Sequence, residues 1–131
     1  MSTLKVNTIQ NTSGGSSSTP EQIQQGRAKA WAIFSGTGTP SLADDFGVSS
    51  ITDHGTGSYQ VNFDTAFSSV NYSPLASCRY QSNTSGQTNS DNIFAGFMNF
   101  NQLAANTILY TRAATGSHYD VAHVYFAAFG D

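Results

Sequence analysis

The stretch that decides the fold is Val48–Tyr72, which reads VSSITDHGTGSYQVNFDTAFSSVNY and places a Gly-Thr-Gly turn between two apolar-patterned segments. In the second segment apolar and polar side chains alternate, which is the period of two of a half-buried strand. Its apolar positions are Tyr59, Val61 and Phe63, and its polar positions are Ser58, Gln60 and Asn62. The pattern predicts a β-hairpin with one face in the core and the other in water.

Further strand patterns separated by turn clusters run from Arg27 to the end of the chain, which is typical of an all-β sandwich. Besides the hairpin, strands are predicted over 27–34, 41–48, 74–80, 93–100, 107–113 and 121–129. The segments 93–100 and 121–129 are apolar on both faces, and this predicts central strands or strands covered by a neighbour. We therefore predict an all-β fold, an antiparallel, jelly-roll-like β-sandwich in which Phe129 is a core anchor.

The composition describes one small domain with few charges. With 131 residues the chain can bury only a modest core, so oligomerisation would stabilise it. Charged residues make up 10% of the chain, against about a quarter in typical domains. Because little of such a surface depends on ion pairs that salt screens, the composition favours a protein that persists outside a cell.

The first 26 residues, MSTLKVNTIQNTSGGSSSTPEQIQQG, contain too few apolar side chains to form a domain. Leu4 and Val6 alternate with polar residues within Thr3–Ile9, which predicts a short strand that needs a partner surface. The Gly14–Ser18 stretch predicts a flexible joint. The alternative for the whole segment is an unstructured tail.

A helix start signal follows this joint. Thr19 suits the N-cap, Pro20 suits the first helical position, and Gln22 completes a capping box. The pattern predicts one or two turns over Pro20–Gln25, too short to be stable by propensity alone. Ile23 must therefore pack on a surface. Both the chain's own sheet and copies of the chain around a symmetry axis meet that requirement.

Charge and hydropathy exclude two classes of partner. The net charge is −3 and the five cationic residues are scattered, so no basic stripe is available for nucleic acid. No apolar run approaches the ~20 residues that span a bilayer, and no signal-peptide pattern opens the chain. We expect a soluble protein that is made in a host cytoplasm and does not insert into a membrane.

The sequence offers no strong catalytic or metal-binding set. The adjacent Asp44 and Asp45 would point to opposite faces of a strand, so a shared substrate or metal is not expected. His118 and Asp120 share one face of an extended segment, which is a weak signal for a metal or a sugar. The single cysteine, Cys78, is expected to be a buried structural thiol. We predict no enzyme, no cofactor and no metal ligands.

Aromatic rings beside amides and hydroxyls favour a sugar-binding surface. Tyr80 adjoins the polar loop Gln81–Asn92, which predicts a projecting tip, and Tyr119 lies in the last loop. We expect both rings to be exposed, whereas the remaining aromatic candidates are expected to pack in the core or between subunits. The predicted receptor-facing residues are Tyr80, Asn83, Thr84, Gln87, Asn89 and Tyr119.

Three stretches of the chain resemble fibre proteins of tailed bacteriophages, marine and cyanobacterial ones especially. They are LKVNTIQNTSG from Leu4, SSITDHGTGSYQVNF from Ser49 with an Asn-Tyr pair after it, and the ending AAFGD. His54 stands where the resembling sequences often have Asn. Both residue types tolerate the left-handed backbone that such turns use, so this departure is conservative.

The resemblance implies a homotrimeric virion protein built in three parts. Residues 1–19 would be an extended attachment or trimer-threading segment, 20–26 a short helical collar, and 27–131 a β-sandwich tip that faces the host surface. The implied partners are other virion proteins of the tail or capsid, and a glycan of the host surface. The residues implied in attachment or trimerisation are Leu4, Val6, Ile9 and Ile23.

Two alternatives stay open beside the fibre interpretation. In the resembling fibres the attachment run often lies inside a much longer chain, whereas here it follows Met1 directly. That arrangement also fits a small capsid decoration or head-fibre protein. From another class, a free-standing carbohydrate-binding module would bind its glycan without residues 1–26. An enzyme is the least favoured interpretation.

Overall fold

The computed structural model describes residues 1–79 and 93–130, and only the backbone of 98–101. These residues form ten strands and one helix. In chain order they are β1 Ile9–Gln10, β2 Ser17–Ser18, α1 Pro20–Gly26, β3 Ala30–Ser35, β4 Ser41–Phe46, β5 Val48–Asp53, β6 Ser58–Phe63, β7 Ser73–Arg79, β8 Ile93–Leu103, β9 Asn106–Ala113 and β10 His123–Phe129.

Eight of these strands form two antiparallel four-stranded sheets. Sheet I has the order β4-β3-β10-β7, and sheet II has the order β5-β6-β9-β8. The predicted all-β antiparallel sandwich is therefore confirmed. A jelly roll also packs two such sheets, but here the hairpins β3–β4, β5–β6 and β8–β9 each stay within one sheet. The jelly-roll-like description stays a prediction.

The core lies between the two sheets, where their inner faces meet. Aromatic rings link the layers: Phe34 of sheet I packs edge-on against Tyr59 of sheet II at 5.4 Å, and Phe63 stacks on Phe126 at 6.1 Å. Such pairs add stability beyond the apolar area they bury. The buried cluster consists of Ala30, Ala32, Phe34, Val48, Tyr59, Val61, Phe63, Phe67, Tyr72, Leu109, Val121, Val124, Phe126 and Ala128.

The hairpin predicted from Val48–Tyr72 is β5–β6, with Ile51 opposite Val61 and Asp53 opposite Tyr59. Its predicted core face is confirmed, since Tyr59, Val61 and Phe63 are buried. His54 does not adopt the left-handed conformation. Among the described residues only glycines have positive φ, and in this turn they are Gly55 and Gly57.

A glycine also explains why the predicted strand 41–48 is in fact two strands in different sheets. Gly47 has a φ of 69° and separates β4 from β5. A Cβ at this position would lie 2.6 Å from the carbonyl oxygen of Lys29, so only glycine fits the close approach. The chain therefore leaves sheet I at Phe46 and enters sheet II at Val48.

The two strands predicted to be buried on both faces differ from that prediction. β10 is central in sheet I, but only its inner face is buried; on its outer face Tyr125 is exposed and Phe129 is half-buried. Phe129 is therefore not a core anchor. β8 is an edge strand, and Phe94 on its outer face is 56% exposed. The strand pattern shows which faces are apolar, but not what covers them.

The N-terminal part contains the predicted helix and lacks the predicted strand over Thr3–Ile9. The Thr19 hydroxyl accepts from the Gln22 amide at 3.2 Å, and the Gln22 side chain accepts from the Thr19 amide at 2.9 Å, which completes the capping box. Only Ile9–Gln10 is a strand, and it pairs with Ser17–Ser18. The stretch predicted as a flexible joint is therefore part of a small hairpin.

Candidate interaction surfaces

Leu4, Val6, Ile9 and Ile23, the residues predicted to attach or trimerise, all lie on the surface of the N-terminal segment. Leu4 is 85% exposed, and the other three are also exposed. The turn before β2 is fixed by the Asn11 carboxamide, whose oxygen accepts from the Gly15 amide at 2.8 Å. Helix α1 has no buried residue. The segment thus presents four apolar side chains that the sandwich does not cover.

The outer face of sheet I is a second uncovered apolar surface, here called face I. One cross-strand row runs Phe46–Trp31–Ala127–Leu75, and the next runs Asp44–Ile33–Tyr125–Ser77. Phe46 and Leu75 are each 57% exposed, and Trp31 and Ile33 are half-buried. Antiparallel sheets that face water usually carry polar side chains there, so this face is unusually apolar.

The outer face of sheet II, here called face II, is polar along β5 and β6. The Asn62 amide donates to the Ser50 and Thr52 hydroxyls at 3.0 and 2.9 Å, and the Gln60 amide donates to Asn62 Oδ1 at 2.5 Å. His54 Nε2 lies 3.1 Å from Gln60 Oε1 and extends the row. The predicted water-facing side of the hairpin is therefore confirmed.

The β8–β9 half of face II contains a shallow cleft. Gly96 lies opposite Tyr110 and Phe94 lies opposite Arg112, so two aromatic rings and a guanidinium surround a floor without a side chain. The His118 ring lies 5.4 Å from the Tyr110 ring. This group was not predicted from the sequence, because its members lie on two strands and a loop that are separate in the chain. The pairing register of β8 and β9 places them side by side.

Asp120, predicted as a weak metal or sugar signal, fixes the last loop to the β5–β6 hairpin. Its carboxylate accepts from the Gly57 amide at 2.8 Å and from the Tyr59 hydroxyl at 3.0 Å. The Tyr59 hydroxyl also donates to the Gly36 carbonyl at 2.8 Å. Burial, reinforced by the hydrogen bond to Asp120 and its charge, raises the pKa of Tyr59. The role visible for Asp120 is structural.

Tyr119 is half-buried, so the expectation of an exposed ring is wrong. Its backbone amide donates to the Thr111 carbonyl at 3.0 Å, and its carbonyl accepts from the Thr111 hydroxyl at 2.5 Å. A receptor-facing role for Tyr119 stays a prediction. The other predicted receptor-facing residues lie outside the described residues: Tyr80, Asn83, Thr84, Gln87 and Asn89.

Two further titratable groups, Cys78 and His123, bond to backbone carbonyls. Cys78 is half-buried, its thiol donates to the Ile93 carbonyl at 3.7 Å, and burial raises its pKa, which keeps it protonated. His123 Nδ1 donates to the Ala122 carbonyl at 2.6 Å. Over residues 1–79 and 93–130, no three His, Cys, Asp or Glu residues cluster in a way that would hold a metal ion.

Within the part of the chain that the structure describes, no helix has the length and apolar character that crossing a membrane requires. None of the family models, curated proteins and solved structures compared with this chain matches it.

Proposed function

We propose that this chain is a non-enzymatic structural protein of a tailed-bacteriophage virion. It forms a homotrimeric, fibre-like appendage that attaches through its N-terminal segment and presents its β-sandwich to the host surface. The proposal includes a jelly-roll-like arrangement of that sandwich. The main support for this proposal is that the four apolar side chains of the N-terminal segment lie outside the core and are exposed.

Exposed apolar side chains on an extended segment favour attachment. Burying one such side chain contributes about 1.5–3 kcal/mol, so burial of Leu4, Val6 and Ile9 in a virion protein or against sister chains would offset the cost of association. The segment leads through the capped helix α1 directly into β3. A docked segment is thereby held close to the sandwich, which suits a part that must transmit force between virion and tip.

The surface chemistry of the sandwich supports a role outside the cell. Face II is held by hydrogen bonds between uncharged side chains, and these are less sensitive to salt than exposed ion pairs. The predicted receptor-facing loop follows β7 in the chain and lies outside the described residues. Recognition of a host glycan belongs to this proposal.

A carbohydrate-binding module is the second candidate, and the cleft of face II favours it. Phe94 and Tyr110 offer rings for the apolar side of a sugar, and Arg112 offers donors for its oxygens. Such a module would act without the N-terminal segment. The two candidates therefore differ in what residues 1–26 are needed for.

Immunogold labelling of purified virions from cells that produce the full chain tests the proposal. Label on tail fibres is expected. Label on the head would move the assignment to a capsid decoration or head-fibre protein, and particles without label would contradict a virion role.

A variant with Leu4, Val6 and Ile9 changed to Ser provides the matched comparison. It keeps the whole sandwich, because none of these side chains belongs to the core. We expect it to be lost from particles, while glycan binding by the free protein is unchanged. Retention of this variant on virions would contradict attachment through the N-terminal segment.

A further inference from the structure

Face I is more apolar than the β5–β6 part of face II, although both faces are exposed to solvent in the single chain. Both are outer faces of four-stranded antiparallel sheets in one small sandwich. Face II carries a hydrogen-bonded polar row, whereas the centre of face I consists of Trp31, Ile33, Tyr125 and Ala127. A contiguous apolar area of this kind marks an interaction surface.

The centre of face I carries no charged side chain, since it consists of Trp31, Ile33, Tyr125 and Ala127. Asp44 lies on the edge strand β4. Copies arranged around a symmetry axis bring identical centres together, where like charges would repel. The uncharged centre thus fits other copies of this chain.

The size of face I indicates that it acts together with the N-terminal segment. Four strands about 4.8 Å apart and roughly seven residues long give on the order of 400 Å² in projection, about half of the ~800 Å² that each partner of a stable interface buries. Helix α1 adjoins this surface, because Gln24 of α1 and Phe46 line the same shallow pocket. When copies pack together, the exposed apolar side chains of the N-terminal segment would supply the remaining area.

We propose that face I is the surface through which copies of this chain pack against one another, with the N-terminal segment completing each contact. This inference rests on the homotrimer of the proposed function and deepens it by assigning the interface. It accounts for the apolar outer side of β10, which the single chain leaves uncovered. It also leaves face II, with its polar row and its cleft, turned toward solvent.

Arginine substitutions in the full chain test this assignment. Phe46→Arg and Leu75→Arg place a charge on the two edges of face I, at positions that are each 57% exposed. Phe94→Arg is the matched control, since Phe94 is 56% exposed on an edge strand of face II. Sedimentation velocity over a concentration series measures the association constant of each variant.

We expect Phe94→Arg to associate like the wild type, and Phe46→Arg and Leu75→Arg each to weaken association at least tenfold. All three side chains are exposed, so circular dichroism and the melting temperature should show that each variant is folded. The two face I variants lie on opposite edges and therefore test the surface independently. If both face I variants associate as strongly as the wild type, face I is not the interface, although the chain still forms a trimer. If the wild type is monomeric at every concentration, both the interface and the trimer are contradicted.

Discussion

At the scale of single residues, the contact among Tyr59, Asp120 and Gly57 explains how the last loop is fixed to the hairpin. Asp120 and Tyr59 are 61 positions apart in the chain, and Asp120 also accepts from the Gly57 amide. Sequence patterns predicted that Tyr59 is buried, because its burial follows from strand alternation. They missed its partner, because a hydrogen bond between distant residues leaves no periodic signal.

Tyr59→Phe should lower the free energy of unfolding by about 1–3 kcal/mol, because the Gly36 carbonyl and the Asp120 carboxylate lose a buried donor. Urea unfolding at neutral pH measures the change. A variant as stable as the wild type would show that the Tyr59 hydroxyl contributes nothing.

The raised pKa of Tyr59 makes stability depend on alkaline pH. Above about pH 10, where an unfolded tyrosine ionises, the unfolded chain releases a proton that folded Tyr59 retains. The free energy of unfolding therefore falls as the pH rises. Tyr59→Phe should reduce this slope and leave the parts due to Tyr72 and Cys78, whose pKa values burial also raises. Urea midpoints between about pH 9 and 11 measure it; an unchanged slope would contradict the assignment.

At the scale of elements, local signals predicted the β5–β6 hairpin and helix α1. Alternation, a glycine turn and a capping box each act within a few residues, so they can be read directly from the chain. The position of a strand in its sheet is not local. β8 and β10 are both apolar on two faces, yet one is an edge strand and the other is central. That difference depends on which distant strands pair with them.

The turn of the hairpin requires glycine at position 57 for two separable reasons. Gly57 and Gly38 have nearly equal φ values, 64° and 65°. A Cβ at Gly57 would lie 2.5 Å from the Thr111 carbonyl oxygen, whereas one at Gly38 would meet nothing within 4 Å. Gly38→Ala should cost only the backbone strain, about 1 kcal/mol. Gly57→Ala should cost roughly 2 kcal/mol more, because the backbone must shift as well.

Thermal and urea unfolding of the two alanine variants measure this difference. Because the backbone conformation is matched, the difference isolates the contact between the turn and β9. Equal destabilisation would mean that the turn moves freely away from Thr111, and the packing of the last loop on the hairpin would then be weaker than the hydrogen bonds indicate.

At the scale of the whole molecule, the sequence predicted a sandwich with an appended segment, and the two-sheet fold is confirmed. What it did not predict is the contrast between the two outer faces. An apolar strand face has the same sequence pattern whether it packs against the other sheet of its own sandwich or against another copy of the chain. The strand order shows that face I lies outside the core. Face II, by contrast, carries a polar row along β5 and β6.

The measurement that tests the central claim most directly is the solution mass, by light scattering, of the full chain beside a chain that begins at Arg27. The shorter chain keeps every core residue, since the core begins at Ala30. We predict three times the chain mass of 13.9 kDa for the full chain, and a weaker association for the shorter one. A monomer in both cases would contradict the trimeric fibre and leave a free-standing binding module as the better account.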